Sequence, residues 1–158
     1  MNSTREMFRH TVATLAYRAS KILRDAPEDF AGYRPNESSR TPGELLAHLG
    51  DLIEWASSMA QGSAAWKTSV PLPWPEEVAR FHGELKRFDD YLASDQPMGA
   101  PIERLFQGPI ADALTHVGQL GMLRRLAGAP MRSENYYQAG IKAGQVGPEQ
   151  EAPKLEFD

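Results

Sequence analysis

Residues 41–63 read TPGELLAHLGDLIEWASSMAQGS, and this stretch decides the fold class. Thr41 is an N-cap residue, Pro42 suits the first helical position, and Glu44 completes a capping box three residues after the cap. Leu45, Leu49, Leu52, Ala56 and Met59 recur at helical spacing and form one apolar stripe. Gln61, Gly62 and Ser63 end it. The predicted unit is an amphipathic helix that must bury one face against partners.

Three further segments repeat the pattern. The first begins at Ser3, with Glu6 placed for a capping box, carries Phe8, Val12, Leu15, Ala19 and Ile22 on one face, and fades at Asp25, Ala26 and Pro27. The third begins at Pro75, with Glu76 and Glu77 at the positive end of the helix dipole and Val78, Phe81, Leu85, Phe88 and Leu92 facing inward. The fourth begins at Gly108 and Pro109, runs through Ile110, Ala113, Val117, Leu120, Leu123 and Ala127, and stops at Gly128, Ala129 and Pro130. No strand of useful length and no hairpin signal is read. These segments predict an all-α fold: a four-helix bundle over about residues 3–128 within one domain, 1–158. The connections at 26–40 and 62–74 exceed the roughly 2–8 residues usual between antiparallel neighbours, so they are expected to cross the bundle. Residues 129–158 form an irregular tail, either packed through Tyr136, Tyr137 and Ile141 or largely mobile.

Composition narrows the function classes. A chain of 158 residues with 41% hydrophobic and 24% charged residues has a globular mix. Its 17 basic and 21 acidic residues give a net charge of −4, which argues against broad nucleic-acid binding. There is no cysteine, so disulfides, thiolate metal sites and a cysteine nucleophile are excluded. No apolar run reaches the roughly 20 residues of a membrane span, and the basic N-terminal segment lacks a secretory core, so a cytoplasmic location is expected.

Candidate chemistry centres on the second and fourth helices. His48 falls within the apolar face of the second. Asp112 and His116 are one turn apart, about 100° and 60° from Ala113 at the centre of the buried face of the fourth. Both lie at the edge of that face, where they could meet His48 across a helix seam. Two imidazoles and a carboxylate suit a divalent cation, with zinc or nickel the favoured occupants and iron or manganese the others. Ordinary explanations stand beside this one. His48 could be a hydrogen-bonded core histidine, and Asp112 a first-turn acid favoured by the helix dipole. Asp51 is a rival carboxylate, or a solvated neighbour of Glu54. Arg124 falls near the middle of an apolar face. It either carries its head to water or pairs with a carboxylate. His10 is expected to be exposed and His82 to be packed beside Phe81. Gly118 and Gly121 are expected at close helix contacts, and Trp55, Trp66 and Trp74 in core or cap positions.

The run Thr41 to His48, followed by Asp51, resembles the second helix of the DinB/YfiT-like superfamily. His116, Val117, Gly118, Gln119 and Leu120, running on to Met122, Leu123, Arg124, Arg125 and Leu126, resemble its fourth. Asn135, Tyr136, Tyr137, Ile141 and the 144–147 run resemble its closing segment. The resemblance implies a four-helix bundle with long crossovers, often homodimeric. It also implies a metal held by one histidine of helix two and a histidine pair of helix four. His48 and His116 match that pattern, and Asp112 stands where the first histidine of the pair belongs. Some members are S-transferases or isomerases that use low-molecular-weight thiols, which implies a small-molecule substrate, with hydrolase chemistry beside it; from charge and hydropathy, no nucleic-acid or membrane partner is expected. The Asp112 replacement leaves a non-catalytic small-molecule-binding or dimerisation bundle with a degenerate site as the alternative.

Overall fold

The computed structural model describes residues 3–158. Its helices are α1 (Ser3–Leu23), α2 (Pro42–Ala60), α3 (Trp74–Ala93), α4 (Ile102–Leu105) and α5 (Ala111–Leu126), with a 3₁₀ turn at Glu28–Gly32. Phe106–Ile110 form a π turn that joins α4 to α5 without a break. The fold is all-α in its main mass. The capping box of α2 is present: Thr41 Oγ1 accepts from the Glu44 N–H at 3.2 Å, and Glu44 Oε2 accepts from the Thr41 N–H at 2.8 Å. Ser3 is already within the first helix, and the residue before it lies outside the described residues.

The fourth helical run begins at Ile102, not at Gly108 and Pro109. Pro109 has no N–H for the carbonyl four residues back, and its ring would strike that carbonyl in a regular α-helix. Widening the turn to π geometry accommodates the proline inside a continuous run. A Gly-Pro pair that reads as a start therefore marks an internal bulge, which ends at Ile110, two residues before Asp112. The far end of α5 behaves as read. Gly128 adopts a φ of 77°, the Gly128 N–H bonds the Arg125 carbonyl at 3.1 Å, and the Ala129 N–H bonds the Arg124 carbonyl at 2.9 Å, a Schellman ending.

The four long helices surround one core, with α1 against α3 and α5, and α2 against α3 and α5. Side-chain pairings fix their directions. Phe8 meets Phe88 with ring centroids 5.9 Å apart, while Leu23 and Val78 share a recess, so α1 and α3 are antiparallel. Arg80 reaches the Ala47 carbonyl and Gly99 bonds the Ala60 carbonyl, so α2 and α3 are parallel. The 61–73 connection thus does not cross to a diagonal helix. It is long because it must return the length of α2 before α3 can start alongside. The 24–41 connection does pass between diagonal helices. Its Phe30, 2% exposed, plugs the core against Trp74 at 5.6 Å.

Asp51 is not solvated beside Glu54 and is not at the candidate site. It is 3% exposed and accepts from the Ser69 N–H at 2.8 Å, from Ser69 Oγ at 2.6 Å, and from Arg80. Burial raises its carboxyl, but these partners outweigh burial and the net shift is downward. Asp51 thereby pins the 61–73 connection onto α2 and α3. Gly118 is likewise not at a close contact, because a Cβ there would meet nothing within 4 Å. Gly121 has ordinary contacts with Ile22 and Met131.

The tail is packed, with a two-residue antiparallel ladder pairing β1 (Ser133–Glu134) with β2 (Glu156–Phe157). So short a ladder leaves no alternation to read. Lys21 Nζ donates to Glu134 at 2.9 Å and Glu156 at 2.8 Å, and Tyr17 donates to Glu134 at 2.5 Å. Tyr136 packs on Tyr17 and under Arg18, and Ile141 packs against the core, but Tyr137 is 93% exposed. Val146, within the 144–147 run of the closing segment, is the fully buried anchor at 1% exposure.

Candidate metal centre

His48 stands in the second turn of α2, and Asp112 and His116 in the first two turns of α5. The two helices run antiparallel, as Leu45 shares a cleft with Gln119 and Leu123 while His48 meets Asp112. That arrangement brings all three predicted residues together. His48 Nε2 lies 3.7 Å from Asp112 Oδ2, and His116 Nε2 lies 3.4 Å from Asp112 Oδ1. The imidazole rings meet edge to face with centroids 4.8 Å apart. One donor atom from each residue falls within 4.8 Å of the other two. Donors about 2.0–2.2 Å from a shared tetrahedral cation are about 3.4 Å apart, so modest side-chain adjustment suffices.

The surroundings suit ligation. His116 Nδ1 is 2.8 Å from Gln119 Oε1, an acceptor, so an Nδ1–H donating there leaves Nε2 as the ring nitrogen that faces Asp112 for ligation. Burial pushes the His48 imidazole below its ordinary pKa; Arg40 and His116 add to the shift, and Asp112 opposes it. A neutral imidazole is the form that binds a metal. The His48 and His116 side chains are 22% and 13% exposed, and that of Asp112 is 48% exposed. The set faces a cleft of about 700 Å³ whose other walls include Leu45, Met122, Leu126 and Arg40.

His10 is exposed, as expected. His82 is buried at 6% exposure, far from the cleft, with Nδ1 3.1 Å from the Val146 carbonyl. Three members of the neighbourhood, Gln119, Trp66 and Arg40, have no site role in the sequence expectations. Gln119 carried a signal, since a residue three positions after a helical histidine lies on the same face. Trp66 and Arg40 did not, because both come from connections. Trp66 is 48% exposed and sets its ring edge-on to His48 at 5.8 Å and to Trp55 at 5.6 Å, so it is neither core nor cap.

No family model, curated protein or solved structure matches the chain. The two imidazoles and the carboxylate at an open cleft are a donor set able to hold one divalent cation with positions left toward the cleft.

Proposed function

We propose that this chain is a metal-dependent enzyme of the DinB-like four-helix-bundle type, in which His48, Asp112 and His116 hold one divalent cation. The convergence of three donor atoms from two antiparallel helices at the wall of a cleft carries the reading. The donor set fits zinc or nickel first and iron or manganese next. A cation held there supplies a Lewis acid that lowers the pKa of a coordinated thiol or water. The chain has no cysteine, so a thiol would enter as a small molecule, consistent with S-transferase or isomerase chemistry; water in its place gives a hydrolase.

The chain's own residues have defined tasks in this reading. Gln119 holds the His116 tautomer, Asp112 contributes the one negative charge of the set, and the apolar wall of Leu45, Met122 and Leu126 limits water in the cleft. Elemental analysis of protein purified without added metal tests the reading. About one divalent ion per chain is expected, retained on dialysis and lost in His116→Ala, with thermal stability falling on chelation. A metal-free protein, or a His116→Ala variant that keeps its metal, overturns the reading. Unchanged stability after chelation supports a non-catalytic binding bundle instead.

A further inference from the structure

Among the described residues, the cleft beside the three donors has one apolar wall and one cation without an ion-pair partner, Arg40. Met122 and Leu126 are each 56% exposed, and both line the cleft together with covered Leu45. Large apolar side chains left open inside a recess of about 700 Å³ match the size and lining of sites for small organic ligands. From His116 to Leu126 the helix rises about 15 Å, enough for an extended tail.

Arg40 supplies the cation. Its neighbour Arg34 lies 3.2 Å from Glu44, which also closes the capping box on Thr41. Arg40 has no carboxylate within ion-pair distance among the described residues, yet it lines the cleft. Arg40 shares that cleft wall with His48, Asp112 and His116. Asn36 and Ser39 flank it with further polar groups. A divalent cation and Arg40 together exceed the single negative charge of Asp112, so the loaded cleft is net positive within a chain of net charge −4.

We propose that the metal-loaded cleft binds an amphipathic carboxylate, its head group between the three donors and Arg40 and its apolar tail along Leu45, Met122 and Leu126. This rests on the metal reading above. The tail gives affinity and the charge gives selection, because each buried methylene contributes about a fourfold factor while a cationic head group would face like charge.

Calorimetric titration of zinc-loaded protein, with metal content verified in every sample, tests the proposal using octanoate, acetate and octylammonium. Octanoate is expected to bind at least tenfold more tightly than either of the others. Arg40→Gln should weaken octanoate about tenfold at unchanged zinc content, Arg40→Lys should weaken it less, and Leu126→Asp should weaken octanoate while leaving acetate unchanged. Octanoate affinity unaltered in Arg40→Gln, or octylammonium or acetate binding as tightly as octanoate, overturns the proposal on protein that holds its metal. A protein that takes up no zinc fails earlier, before any probe is added, and overturns the metal reading and this proposal with it.

Discussion

Arg124 lies on the apolar face of α5 at 6% exposure, and no carboxylate comes within ion-pair distance of it among the described residues. Its head turns to backbone carbonyls instead. Nη1 donates to the Ile22 carbonyl at 2.8 Å and the Arg24 carbonyl at 2.9 Å, and Nε donates to the Ala129 carbonyl at 2.8 Å. The first two belong to the end of α1, where the chain turns at Asp25 with a φ of 54° and helix carbonyls lack intrahelical partners. The guanidinium therefore caps α1 from α5 and ties in the start of the tail. Neither sequence expectation for this residue holds, because periodicity locates a side chain on a face and says nothing of which backbone ends meet it. Arg124→Met keeps the stem and removes the donors. It is expected to destabilise the fold by about 2–4 kcal/mol, given that hydrogen bonds to charged groups contribute about 1.5–3 kcal/mol each and buried carbonyls would be left unpaired. Urea denaturation measures this, and a loss below about 0.5 kcal/mol would show that the cap is dispensable.

At the scale of elements, legibility followed local chemistry. The start of α2 was readable because Thr41, Pro42 and Glu44 act within one turn, and His48 was placed because its neighbours carry the helical period. Asp112 and His116 were placed for the same reason, although the start of their helix was misplaced at Pro109. What a proline does inside a helix depends on whether the packed segments on either side hold the run together, and that is a tertiary matter. Trp66 and Arg40 were missed because connections have no period. Two substitutions separate the local contributions. Thr41→Ala removes a formed capping box and should cost about 1 kcal/mol. Gly118→Ala adds a methyl where nothing lies within 4 Å and should stabilise by up to about 1 kcal/mol through helix propensity. Thermal or chemical denaturation of the pair checks both. A destabilised Gly118→Ala would show that this position of α5 does not accept a side chain despite the open space around it.

On the scale of the whole molecule, the tail closes the side of the bundle away from the candidate metal centre. It is held at one end by Lys21 with Glu134 and Glu156, and at the other by Val146. His82 links the second anchor to α3, donating from Nδ1 to the Val146 carbonyl in a recess shared with Arg24 and Glu149. Burial pushes the His82 imidazole below its ordinary pKa, and the hydrogen bond opposes this only in part. The unfolded chain therefore takes up a proton at a higher pH than the folded one does. The stability that His82 contributes is present in full above about pH 6.5, the ordinary histidine value, and is lost as pH falls through the lower folded value. His48 shifts in the same direction and carboxylates titrate below it, so total acid sensitivity does not isolate His82. Comparison with His82→Gln does. Between pH 7.5 and 5.5 the wild-type urea midpoint should fall more than that of the variant, and hydrogen exchange at residues 144–150 should accelerate in acid only where His82 is present. Equal falls in the two proteins would mean that the tail docks through Val146 and the Lys21 ion pairs alone, with the His82 proton playing no part.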